Sequence, residues 1–183
     1  MKILGISCYF HDSAACIIDN GKIIAACQEE RFSRKKNDAN FPVNSIKFCL
    51  DRCNIDLNQI DKIVFYENSN KKFRRIIESY KLFFPKSIPL FFKTFLKWFF
   101  KKRFYKKTLK KEFHKYFKIN LNNNLFSFFD HHLSHAASAF HPSPYNEATI
   151  LVLDGVGEFN TTSIWKANKN GIELVKKIDF PHS

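Results

Sequence analysis

A chain of 183 residues with 45% hydrophobic content is long enough to bury a substantial core, so one domain, or one plus part of another, is the natural count. Its formal net charge is +13, from 30 Lys and Arg against 17 Asp and Glu. Five cysteines, Cys8, Cys16, Cys27, Cys49 and Cys53, are odd in number, sit inside apolar patterns and form no C-x-x-C pair; they read as reduced core residues of a cytoplasmic protein rather than zinc or redox ligands. No apolar h-region follows a basic start, so no signal peptide is expected.

Lys2 to Tyr9 is an apolar run with β-branched residues, a first strand. The loop Phe10-His11-Asp12-Ser13 leads into two short strands, Ala14 to Ile18 and Ile23 to Cys27, joined by Asp19-Asn20-Gly21-Lys22. An Asn-Gly pair between apolar runs is a strong hairpin signal. His11 is the loop residue able to exchange a proton near neutral pH, with Asp12 and Ser13 at hand to orient it; a turn held by the Asp and Ser side chains accounts for the same residues equally well. Gln28 to Lys36 is a dense charged run, ordinarily a solvated face. Ile46, Cys49, Leu50 and Cys53 then repeat at three and four across Val43 to Asn54, an amphipathic helix, and Ile60 to Tyr66 is the next strand. Strand, hairpin, helix and strand in this order is α/β.

Between Lys71 and Lys118 stand 17 of the 30 basic residues and only two acids, Glu78 and Glu112, so the charge excess is local. Pro85 and Pro89 break this stretch. Phe91, Phe92, Phe95, Leu96 and Phe99 then form an apolar stripe beside Lys93, Lys97 and Lys101, and a second helical stretch runs through Leu109, Phe113 and Phe117. No uncharged run approaches the ~20 residues needed to cross a bilayer. The stretch reads as a helical insertion capping the domain, with peripheral contact to an anionic membrane or a glycolipid as the functional alternative. No nucleic-acid module is recognisable.

Leu125 to Phe129 reads as a strand feeding a helix that Asp130 caps and that Pro142 and Pro144 end soon after Phe140. His131 and His135 are four apart on it, about one turn or ~6 Å along the axis, so both imidazoles can meet one metal ion while His132 faces elsewhere. Histidines at this spacing are also common as plain surface or core residues. Ala148 to Leu153 has the length of a buried strand and delivers Asp154-Gly155-Val156-Gly157-Glu158 to its carboxyl end, where a carboxylate beside two glycines suits a phosphate or a magnesium ion. Thr161 to Ala167 and Ile172 to Ile178 form another hairpin around Asn168-Lys169-Asn170-Gly171.

HHLSHAASAF followed by SPYNEATILVLDGVGE resembles the amino-terminal part of the carbamoyltransferases that decorate antibiotics and nodulation-type glycolipids. The opening GISCYFHDSAACIIDNGKIIAACQEERFSRKKNDANFP and the closing FPHS look similar too, so the resemblance is close at both ends and loose between about Lys71 and Asn124. It implies an actin/Hsp70/sugar-kinase-like (ribonuclease H-like) α/β fold: a first subdomain over residues 1–147, with a basic helical insertion at 71–118, and the start of a second over 148–183. By the resemblance, His131 and His135 hold iron or another divalent metal, and Asp154, Gly155, Gly157 and Glu158 line the phosphate and nucleotide side. His11 and Asp12 attend the acceptor, and Ser13, Glu30, Arg31 and Lys35 touch substrate.

The implied reaction moves a carbamoyl group from carbamoyl adenylate, made from carbamoyl phosphate and ATP, to a hydroxyl of a sugar or other natural-product acceptor. The family's further sequence holds an aspartate completing the metal site, the adenosine pocket and a second domain. The chain is therefore expected to be a truncated or split enzyme, incomplete alone unless a second chain supplies the carboxyl-terminal half. Two other readings stay open: a tRNA threonylcarbamoyl transferase-like protein, which shares the H-x-x-x-H pair, and a non-catalytic binding fragment. The HDSAA, EERFSRKK and DGVGE wordings favour the small-molecule family over a nucleic-acid partner.

Overall fold

A computed structural model of the chain describes residues 1–89, 91 and 105–182. The expected stripe at Phe92, Phe95, Leu96 and Phe99, and the lysines 93, 97 and 101 beside it, lie outside the described residues. By its contacts the chain forms two compact units, Met1–Tyr66 with Lys106–Phe128, and Glu67–Tyr105 with Phe129–Ser183. Residues 129–147, grouped by sequence with the first subdomain, fall in the second unit.

The first unit is a five-stranded mixed sheet in the order β3-β2-β1-β4-β5. β1 (Lys2–Ser7), β2 (Ala14–Asp19) and β3 (Lys22–Gln28) run antiparallel, and β4 (Lys62–Phe65) and β5 (Phe126–Phe128) add in parallel on the other side of β1. The β2–β3 turn is the Asn20-Gly21 pair, both at positive φ (47° and 82°), which two-residue hairpins of this twist require. After the short helix α1 (Glu30–Ser33), helix α2 (Val43–Cys53) packs on β2 and β3 through Ile46, Cys49 and Leu50. All five cysteines are free thiols, and burial pushes that of Cys49 up to about 12, so it stays protonated and inert. Helix α4 (Tyr105–Phe117) is basic on its outside and apolar within. Leu109 and Phe113 are fully buried, and Phe113 meets the ring of Phe41 edge-on at 5.1 Å.

What fixes the start of α2 is a carboxylate from elsewhere. Its N-cap position is Pro42, which has no side-chain acceptor to offer, and the donors of the first turn go to Glu29 instead. Glu29 Oε1 accepts from Asn44 N at 3.1 Å and Nδ2 at 2.7 Å, and Oε2 from Ser45 N at 2.8 Å and Oγ at 2.9 Å. Glu29→Ala leaves the buried Ser45 donors and those of Asn44 without this acceptor and is expected to cost about 3 kcal/mol, read as a lower urea midpoint; an unchanged midpoint refutes the anchor.

In the second unit, helix α3 (Ser69–Leu82) precedes helix α5 (His131–Phe140), which lies against a three-stranded antiparallel sheet in the order β6-β7-β8. The strands are β6 (Ala148–Gly157), β7 (Asn160–Asn168) and β8 (Gly171–Asp179). Ala136, Phe140, Ile150, Val152, Trp165 and Ala167 form the core between helix and sheet. The expectation of a buried β6 is corrected: Ile150 and Val152 face α5, whereas Leu151 and Leu153 are 58% and 71% exposed. A continuous apolar run suggests burial on both faces, but here only the helix-facing side is covered. Its end is corrected too. The strand continues through Asp154 to Gly157, with a pairing irregularity after Leu153, and the turn begins only at Glu158, whose φ is +44°. Among the described residues no helix is long and apolar enough to cross a membrane.

Candidate functional site

Three side chains converge where the first turn of α5 meets the far end of β6. His131 and His135 are on one side of the helix, their Nε2 atoms 3.0 Å apart and their rings nearly perpendicular. Asp154 joins them from β6, with Oδ2 3.1 Å from His131 Nε2. One donor atom from each of the three lies within 4.8 Å of the others, the one such group of three or more His, Cys, Asp or Glu among the described residues. His132 is turned away from the other two, as its offset of about 100° predicts, and is buried with Nδ1 2.7 Å from Ser163 Oγ.

The electrostatics suit a cation. Burial, and then the neighbouring His135, lower the pKa of His131 against the opposing pull of Asp154 and Glu67, so its imidazole is held neutral as metal ligation requires. Two imidazoles and a carboxylate turned toward a common point are the donor set of many iron and zinc sites. The residues present therefore fit a divalent metal. Asp154, which the sequence assigns to the phosphate side, supplies a third donor from within the chain.

Gly157 is the seat of this arrangement. A Cβ there would lie 2.5 Å from His131 Cδ2, 2.8 Å from Asp154 Oδ2 and 2.9 Å from His132 Cδ2, so only a glycine lets the helix rest this close. Around Gly155 nothing lies within 4 Å of such a Cβ.

Glu158 is buried and already engaged. Its carboxylate accepts hydrogen bonds from the backbone of Asn68 and of His131, so it caps the amino end of α5. Asp130 occupies the N-cap position as expected but turns its carboxylate to Lys71 Nζ, 2.5 Å away. Burial, aided by Asp130, pushes Glu158 up to about 7 from an ordinary 4.5, against the two backbone donors and Lys71. The raised value means that the fold prefers the protonated acid. Below pH 4.5 both states are protonated; between 4.5 and 7 only the unfolded chain ionises, so stability falls as pH rises and the loss is complete above 7. Glu158→Gln is expected to flatten that slope, worth roughly 2 kcal/mol after solvent screening, when urea unfolding is compared at pH 5 and pH 8.

α3 adds charges that composition alone hides. Arg75 is half-buried beside Glu67, Asp154 and Glu158, its Nη1 3.4 Å from Val156 O; burial lowers its pKa and those carboxylates oppose the shift. Glu67 is buried against Lys72 and accepts from Tyr105 Oη at 3.1 Å. Nothing in the lysine- and arginine-rich stretch marks these as the inward-facing members.

The remaining predicted residues lie in the first unit. His11 is exposed, with Nδ1 2.7 Å from Asp12 Oδ2. Asp12 is at φ +49°, and Ser13 is fully buried, its amide donating to Asp38 O at 2.7 Å. Glu30 Oε2 accepts from Asn37 N at 3.2 Å, while Arg31 and Lys35 are exposed.

The Carbamoyltransferase N-terminus family matches residues 2–183. Among curated proteins, an uncharacterized protein of Synechocystis sp. is 45% identical, covering 99% of this chain and 30% of its own length. Nodulation protein NolNO of Sinorhizobium fredii is 32% identical over 96% of this chain and 24% of its own. The chain thus spans less than a third of the length of these relatives. A solved structure of YeaZ from Pseudomonas aeruginosa aligns over 98% of this chain and 66% of that one, with 9% identity and a TM-score of 0.48. With the family match running from the second residue to the last, the chain belongs to the carbamoyltransferase family and corresponds to its amino-terminal part.

Proposed function

We propose that this chain carries the metal and acceptor groups of an O-carbamoyltransferase of actin-like fold, one that passes a carbamoyl group from carbamoyl adenylate to a hydroxyl of a sugar or related acceptor. The observation that carries the reading is the convergence of His131, His135 and Asp154 in a chain of this family. These three would hold iron or a similar divalent ion, which supplies Lewis acidity toward phosphate and carbonyl oxygens when bound. Burial keeps His131 neutral for that task. In the first unit, the Asp12 carboxylate accepts from His11 Nδ1 and leaves Nε2 to take a proton from an acceptor hydroxyl, the orientation that a general base needs.

Calorimetry with inorganic phosphate, the part of the adenylate that faces this chain's residues, tests the reading, since the adenosine pocket is expected outside this chain. Phosphate is expected to bind after loading with a divalent metal and not before; binding indifferent to metal, or none in the loaded chain, defeats it. Mass spectrometry of products from carbamoyl adenylate with an amino sugar or with tRNA separates this reading from its tRNA-modifying relative.

A second contact is supported by the turn after α3. Leu82, Phe83 and Phe84 are 61%, 55% and 71% exposed, with exposed Lys81 and Lys86 on either side, a combination suited to the headgroup layer of an anionic membrane. The chain is expected to float with phosphatidylglycerol vesicles and not with pure phosphatidylcholine, and replacing Phe83 and Phe84 by serine should weaken flotation about tenfold or more. Equal recovery with both vesicles counts against it.

A further inference from the structure

His132 takes no part in the ligand group, yet it is 1% exposed and joined to Ser163 of β7 and, through that serine, to Trp165. Its Nδ1 is 2.7 Å from Ser163 Oγ, and the same oxygen is 2.7 Å from Trp165 Nε1. An indole N–H can only donate. With one lone pair of Ser163 taken by Trp165, the serine hydrogen finds its acceptor in His132 Nδ1, which satisfies the serine and the indole, while the buried Nε2 makes no hydrogen bond of good geometry among the described residues. The alternative, with Nδ1 donating to the serine, gives the oxygen two donors and leaves its own hydrogen buried without an acceptor. The backbone of Asn160 is a further hydrogen-bonding neighbour of the ring.

The mechanical setting matters as much as the tautomer. His131 and His132 straddle Gly157, their Cδ2 atoms both crowding the space that a Cβ would fill. α5 therefore sits directly on the backbone of β6, and a small roll about its axis would swing His131 and His135 together away from Asp154. His132 reaches across to β7 from this turn by a side-chain hydrogen bond.

We infer that His132 carries its proton on Nε2 and that the relay Trp165 to Ser163 to His132 is a positioning device, fixing the roll of α5 so that His131 and His135 face Asp154. The inference rests on the metal-centre reading for its purpose, while its geometry stands apart from it. His132 is a positioning residue, acting through its neighbours and touching no ligand.

Long-range nitrogen–proton correlation spectra of the labelled chain at pH 8 report imidazole tautomers directly. The expected pattern for His132 is a protonated Nε2 with Nδ1 as acceptor; the opposite tautomer, or rapid exchange between the two, overturns the inference. Ser163→Ala removes the relay and should weaken cobalt(II) binding about tenfold or more, the usual scale for supports behind ligands, and shift the His131 and His135 resonances without melting the helix. Unchanged affinity and unchanged resonances overturn it. If the wild-type chain takes up no cobalt, the metal-centre reading fails, and the His132 tautomer with the His131 and His135 shifts in the variant decides the positioning role alone. If Ser163→Ala does not fold, the wild-type tautomer decides it.

Discussion

A chain in which His131 and His135 are both alanine is expected to retain its fold and lose divalent-metal uptake to background. Asp154 then remains as a lone carboxylate, where protein sites ordinarily use three or more ligands, so affinity should fall by at least about 100-fold. The fold should survive because His135 is exposed, alanine favours helix, and the core beneath α5 is built from Ala136, Phe140, Ile150, Val152, Trp165 and Ala167. Asp154→Asn, which preserves shape and removes charge, should give an intermediate loss. Metal analysis after dialysis, with calorimetry for affinity, is the measurement. Equal iron content in wild type and double variant would falsify the ligand assignment.

Gly157→Ala is expected to be strongly destabilising. The new carbon meets two imidazole ring carbons at 2.5 and 2.9 Å and a carboxylate oxygen at 2.8 Å, so three side chains of the site must shift at once. Either α5 lifts from β6 or the rings leave their rotamers, so the expected cost is about 3 kcal/mol, with metal affinity falling as well. Gly155→Ala, two residues earlier in the same motif, meets nothing within 4 Å and should change stability by less than about 0.5 kcal/mol. Equal melting temperatures for the two variants would remove the argument for Gly157 as the seat of the helix.

What the sequence makes legible is whatever depends on short spacing. Asn20-Gly21 announces its hairpin because few other pairs accept two positive φ values in succession. The helix after Asp130 is legible from its cap, its alanines and its prolines, and the offset of four brings two imidazoles to the same side. Membership of the family is legible from motifs at both ends, and the match over residues 2–183 agrees with it.

The less legible features all depend on partners distant in sequence. Glu29 and Glu30 are adjacent acids in one charged run, yet only Glu29 meets the first turn of α2, fifteen residues away. Leu151 and Leu153 read like Ile150 and Val152, because composition does not say which face of a strand is covered. Asp154 reads as a turn residue beside glycines, and only the continuation of β6 past Leu153 carries it to His131. Arg75 is one cation among many until its burial beside three carboxylates is known.

The outward face of β6 has a practical consequence. β6 is the edge of its described sheet, and Leu151 and Leu153 project from it, so a row of backbone donors and acceptors runs beside bare leucines. Such a border is a template for strand addition by a neighbouring molecule. Concentrated stocks should thicken into oligomers before the hydrophobic interior is ever disturbed, and a charged replacement at Leu153 is the natural remedy for anyone who needs the protein at high concentration.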